Sequence, residues 1–200
     1  MSLGTFLSAA AVALALGAAA PAWPQDPQSA IVAMSRPSAE TDRLAARTGT
    51  WDASVTIWPA PGADPVGFPG LVARRTMMGA FMEEVLTPDG AGAPAWERVA
   101  YLHWNRVEGR WQYVSMDTRF PAGIMPAASV DAGTPDRIEL QFEPIAFPGW
   151  GREVDGWMLR SSYEVEGIGT DHETARQYWI RADGSGTRWL GVEYRYDRRS

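Results

Sequence analysis

From residue 51 the chain alternates. Trp51, Val55 and Ile57 share one parity, and Asp52, Ser54 and Thr56 take the other. This is the two-residue period of a strand with one face in a core and one in water. Tyr163 and Val165 alternate with Ser162, Glu164 and Glu166 in the same way. Strands are expected at about 50–58, 70–78, 81–87, 96–105, 110–119, 123–130, 136–143, 155–167, 172–182 and 187–197. Met78-Gly79-Ala80, Val107-Glu108-Gly109, Pro135-Asp136 and Asp183-Gly184-Ser185-Gly186 read as hairpin connections between them. Residues 144–154, PIAFPGWGREV, carry too much Pro and Gly for a central strand. In the fourth run the alternation fades: Tyr101 and His103 lie on one parity and Ala100, Leu102 and Trp104 on the other, so both faces are apolar.

Ahead of the strands the pattern changes. A short helix fits 38–48, with Ser38 as cap, Glu40 and Asp42 in the first turn, and Arg43 and Arg47 in the last. Gly49 is placed to end it. Residues 23–37 have three prolines and no sustained period, and read as a linker. The first 22 residues contain no charged side chain, and Phe6 to Ala20 is an apolar stretch. Ala20-Pro21-Ala22 offers a small-residue cleavage site, so 1–22 reads as a secretory signal peptide. An uncleaved anchor is the alternative; Pro21 and Pro24 favour cleavage. Residues 38–200 would then form one domain in the periplasm or outside the cell, without a membrane segment after cleavage.

Composition removes much chemistry. All eighteen basic residues are arginine, which excludes a lysine Schiff base and a P-loop lysine. The absence of cysteine excludes thiol nucleophiles, disulfides and thiolate metal sites. A net charge of −6 gives no electrostatic reason to expect nucleic acid. His103 and His172 stand in no HxH or HExxH pattern, and GxSxG and GxGxxG are absent. No metal and no cofactor is expected. The sequence sets no oligomeric state.

Ten sequential strands joined by short hairpins describe an up-and-down antiparallel meander, which avoids exposed edges most simply by closing into a barrel. A flattened sandwich is the other solution. In a barrel, Gly49-x-Trp51 turns the tryptophan inward at the closed end, where Arg195 or Arg198 of the last strand can cover its ring. Helix 38–48 would plug that end. This closing device is that of the calycins, the lipocalins and their relatives. Leu44 with TGTW, then TMMGAFMEEV, YVSMDT and VEYRYDR occur in an order that resembles the small bacterial domain family of unknown function called DUF1579, over residues 40 to 199. The resemblance implies a calycin-like barrel and no established activity. Gly79-Ala80-Phe81 stands where that family has Gly-Gly-Arg, and Leu102-His103-Trp104-Asn105 where it has Gly-Tyr-Asp; if that family uses those positions for a ligand, the departure implies a different one here.

An all-β, ten-stranded barrel of this size would keep interior space. Arg75, Met77, Glu84, Tyr101, His103, Tyr113, Asp117, Met125, Tyr163, Tyr178 and Glu193 are its expected ligand-binding lining. Abundant methionine and tryptophan suit a small, largely apolar molecule, though plain core packing would use the same residues. Asp117 shares parity with Trp111 and Tyr113 and is either inward among aromatics or outward beside Arg119. Glu83 and Glu84 are consecutive, so one of them faces inward. Glu193 can pair with Arg75 or Arg195, or face water. An inward His103 would permit haem ligation as in haem-binding calycin relatives; a satisfied or exposed histidine is the simpler reading.

Three functions follow. The first is an exported binding barrel for an apolar small molecule. The second is an enzyme using Asp117 or Glu193 as acid or base. The third is an envelope interaction module with a filled barrel and an exposed apolar patch.

Overall fold

The computed structural model describes residues 27–34, 36–90, 95–119, 123–147, 154 and 156–200. The signal-peptide expectation lies outside them. The chain divides into two units, residues 1–34 and 35–200. Of the first, the described residues form helix α1 (Pro27–Met34), with Ile31, Val32 and Met34 exposed. The expected linker thus contains a helix. Its single turn pair, without acidic first-turn or basic last-turn residues, leaves little for a sequence pattern to register.

The second unit opens with α2 (Ala39–Ala45). Ser38 Oγ accepts from the Thr41 backbone N–H, as a cap should. Ten strands follow: β1 (Gly49–Ile57), β2 (Val66–Met78), β3 (Phe81–Pro88), β4 (Arg98–Asn105), β5 (Arg110–Asp117), β6 (Ile124–Ala128), β7 (Arg137–Ala146), β8 (Met158–Glu166), β9 (His172–Arg181) and β10 (Trp189–Arg198). Each pairs antiparallel with its neighbours in sequence, and β1 pairs with β10, so the sheet is a closed up-and-down barrel. Closure satisfies the edges that an open meander would leave.

Two strands are longer than the sequence pattern suggests, for one reason. Pro69 and Gly70 lie inside β2 at a register shift opposite Ala53/Val55, and Gly70 takes φ +76° there. Pro144 lies inside β7 at a shift between Phe142 and Ile145. A bulge accepts residues that a regular ladder rejects, so Pro and Gly here mark bends rather than ends.

Gly49 does not end α2. The helix closes at Ala46, and Gly49 opens β1 at φ +126°. A Cβ at that position would stand 3.1 Å from Arg198 Nη1, so glycine admits that arginine. The seam is where the sequence places it: Trp51 is fully buried and faces Arg198 across the β1–β10 pair. Arg198 covers the Trp51 ring at 4.1 Å, and Arg75 approaches it at 4.7 Å. Arg195 does not take part. It has the outward parity of β10, because Tyr194 and Tyr196 occupy the inward sites, and its Nε donates to Glu193 at 2.8 Å. Leu44 of α2 is fully buried, and the helix packs on β2, β3 and β4.

Candidate functional site

The inward residues form a continuous cross-strand belt. Arg75 faces Glu84, Leu102 faces Tyr113, Tyr113 faces Ala127, Leu140 faces Tyr163, and Glu173 faces Tyr196. Rings fill the middle of the lumen. Tyr113 lies 5.6 Å from Phe142 and 5.8 Å from Tyr163, and Tyr163 lies 6.2 Å from Tyr194. Two interior cavities of about 20 Å³ each remain, one against Arg47, Arg75 and Glu84 and one against Arg98, Ser115 and Asp117. Each has room for about one water. Among the described residues, neither of these two cavities has room for the expected ligand.

What the lumen contains is an ion network that sequence reading identified only in part. Arg75 donates through Nε to Glu84 at 2.7 Å and through Nη1 to Glu173 at 2.6 Å. Arg47, just beyond α2, holds both Glu173 oxygens, with Nη2 at 2.9 Å. Arg98 Nη2 donates to Glu84 Oε1 and, at 2.9 Å, to the Tyr196 hydroxyl. All five charged side chains are buried. Burial alone would raise the Glu84 carboxyl, but Arg75 and Arg98 override it and hold it down at about 2. Burial and then Arg47 and Arg75 act in the same way on Glu173, which also lies below its ordinary value. Burial pushes the hydroxyls of Tyr113, Tyr163 and Tyr196 up. Arg47, Arg98, Glu173 and Tyr196 were not anticipated. Inward parity of Glu84 was the one signal for them, since a buried carboxylate requires buried cations.

Seven of the eleven expected lining residues do point inward: Arg75, Met77, Glu84, Tyr113, Asp117, Met125 and Tyr163. They pack or pair with one another. Asp117 is buried and accepts from Arg119 Nε at 2.9 Å, while Arg119 also reaches the Tyr194 hydroxyl at 3.0 Å. The other four point outward. Tyr101 and His103 have the parity opposite to buried Ala100 and Leu102. Haem ligation from within the lumen by His103 is therefore out of reach. Tyr178 lies opposite in parity to buried Trp179 and sits under Arg188, whose guanidinium is 3.9 Å from the ring. Glu193 is on the outer face, shielded by Arg176 at 2.9 Å and Arg195 at 2.8 Å. Its burial comes from those arginines and not from the lumen. Arginines thus engage the carboxylates of both Asp117 and Glu193.

The large concavity lies on the outside. A groove of about 880 Å³ runs over β3–β7, bordered by Phe81, Tyr101, His103, Gln112, Pro126, Ala128, Val130 and Gln141. Its construction follows from β6. That strand has five residues and pairs with β7 only at Ala127–Phe142 and Ala128–Gln141. Pro126 supplies no N–H to either neighbour. The wall opens there, and inward residues Tyr113, Ala127 and Phe142 also border the groove. Phe81 packs on the His103 ring at 4.5 Å, and His103 Nε2 is 2.8 Å from Gln112 Oε1. Tyr101 donates to Glu83 Oε1 at 2.6 Å.

The rows beside the groove are apolar as well. Val85, Val99, Met116 and Ile124 face one another across four strands on the outer side, and Met116 and Ile124 are exposed. Phe81 and Val130 are exposed at its margins. This outer face explains why β4 is apolar on both parities.

No family model matches the chain, and no curated protein matches it by sequence. Among solved structures, Rv2717c from M. tuberculosis is similar, with a TM-score of 0.52 and 16% identity over 82% of this chain and 100% of that one. The likeness and the closed ten-strand topology together identify the fold as an antiparallel β-barrel.

Proposed function

We propose that the chain is an exported binding barrel of the DUF1579 kind that takes a small, largely apolar molecule in the outer groove over β3–β7. One observation carries this: about 880 Å³ of concave space lies there, against about 20 Å³ in each interior cavity. That volume is in the range of small-molecule sites, which combine apolar walls with a few polar groups. Phe81, Tyr101 and Pro126 supply the apolar walls, and the His103–Gln112 pair supplies the polar end. Export rests on the uncharged N-terminal 22 residues and the Ala20-Pro21-Ala22 site. The order of the TGTW, MMGAFMEEV and VEYRYDR motifs supports the family assignment.

An apolar fluorescent probe tests the site. The wild-type protein should bind it, and Ala128→Trp, which fills the groove from the outer side of β6, should abolish binding with the fold intact by circular dichroism. Undiminished binding by Ala128→Trp would move the site elsewhere.

A second reading has an observation of its own. The apolar row from Val85 to Ile124 extends past the groove, and such patches mark protein contacts. An envelope interaction module would use this face. Met116→Arg would then abolish association with a partner while sparing the probe.

A further inference from the structure

We infer that the lumen holds one compact monovalent anion, the size of a halide, against Arg47 and Arg75. The first ground is charge. Among the described residues the interior holds the cations Arg47, Arg75, Arg98 and Arg119 and the anions Glu84, Glu173 and Asp117. Asp117 neutralises Arg119. Three guanidiniums are left facing two carboxylates, an excess of one positive charge in a medium where an uncompensated charge is costly. The tyrosines do not supply the missing negative charge. Tyr113, Tyr163 and Tyr196 are buried with their hydroxyls held protonated, and Tyr196 already donates to Glu84 Oε1 at 3.2 Å.

The second ground is hydrogen bonding. Arg47 Nη1, Arg75 Nη2 and Arg98 Nε are buried and have no protein acceptor. Arg47 Nη1 and Arg75 Nη2 are the remaining donors of guanidiniums whose other nitrogens are committed to Glu84 or Glu173, and Arg98 gives its Nη2 to Glu84 and the Tyr196 hydroxyl. Buried N–H groups are rarely left so, least of all on charged groups.

The third ground is space. One of the two interior cavities, about 20 Å³, is bordered by Arg47 and Arg75 together with apolar Met82, Leu140 and Val165. Its volume suits a single water-sized or halide-sized occupant and excludes phosphate, sulfate or a carboxylate with a tail. Glu84 also borders it, but both Glu84 oxygens are engaged by Arg75 and Arg98. A neutral water would satisfy donors and leave the charge excess. A monoanion answers both.

The test uses the intact protein at constant ionic strength. Thermal unfolding is followed as sodium gluconate is replaced by sodium chloride or bromide, and separately by sodium sulfate. The melting temperature should rise by a few degrees and saturate with halide, as binding to the folded state alone requires, and not respond to sulfate. Arg47→Met removes the excess charge and should abolish the halide response. Since that variant also removes one of the two arginines on Glu173 and can fail to fold, crystals of the wild-type protein grown in bromide give an independent reading. An anomalous peak beside Arg47 and Arg75 is expected. A halide response equal to that of sulfate, or a bromide crystal with no peak in that cavity, overturns the proposal.

Discussion

Arg198 stands directly opposite Trp51 across the last seam of the barrel, its guanidinium 4.1 Å from the indole centroid and its Nη1 and Nη2 on the carbonyls of Thr48 and Ala46. One side chain thus joins the final strand, the first strand and the end of α2. Trp51 also donates its own Nε1–H to the Arg47 carbonyl at 3.1 Å. Trp51→Ala should cost about 3–5 kcal/mol, the range for emptying a large aromatic core site. Denaturant melts measure it, and a loss below about 1 kcal/mol would mean that the ring does not hold the seam.

The Arg75 strut gives a second expectation. Arg75→Met leaves Glu84 and Glu173 in the lumen with one cation fewer, and should destabilise by about 3–5 kcal/mol. A conservative Leu86→Val change nearby should cost far less, about 1 kcal/mol. Equal effects would assign the loss to packing alone.

Acid unfolding follows from the same group. Glu84 titrates at about 2 in the folded state against an ordinary value of 4.5. Its folded value is depressed, so its contribution is fully present above the ordinary value and is lost as the pH falls toward about 2. A loss of stability is expected between about pH 5 and pH 2, and Glu84→Gln should flatten that limb. Melts in urea at stepped pH would show it; identical limbs in the two proteins would contradict the assignment.

Gly191 presses on Trp179. A Cβ there would lie 2.4 Å from the indole Cε3, and Gly191 stands at the bulge between Leu190 and Val192. Gly191→Ala should cost about 1–3 kcal/mol by overpacking. Trp179→Leu in the same chain should recover part of the loss, a coupling that a double-mutant cycle reads directly.

The β6–β7 junction should open first. Amide exchange is expected to be fastest in β6 (Ile124–Ala128) among the strands, since it has two paired positions with β7, while β8 and β9, paired along eight positions, should be among the slowest. Uniform protection around the barrel would remove the structural reason given for the groove.

Much of this architecture was legible beforehand. The ten strands, the Ser38 cap, the β1–β10 closure and the inward Glu84 all rest on local signals: turn residues, parity and capping. Facing was harder. Where the outer face is polar, as around Tyr163, parity gives the inward residue; on β4 the outer face is apolar, and Tyr101 and His103 were assigned to the wrong side. Asp117 kept its inward place because Trp111 and Tyr113 share its parity. Glu193 was open between Arg75, Arg195 and water, because the parity of Val192 and Tyr194 alone does not name its partner; it pairs with Arg195 and Arg176 on the outer face. The groove itself was not legible, because it arises from the brevity of β6 and not from any motif.

The Arg75 strut also orders events in time. Its two carboxylates come from β3 and β9, almost ninety residues apart in the chain. While the polypeptide is being made, Arg75 and Glu84 emerge early, whereas Glu173 and the Tyr196 hydroxyl arrive near the end. A nascent chain stopped before β9 would have to bury Arg47 and Arg75 without Glu173, so the N-terminal half has reason to stay open until the last strands appear. The charges of the lumen are matched only when β9 and β10 join the strands that carry Arg75 and Glu84, so closing the barrel and pairing its buried ions are one and the same step.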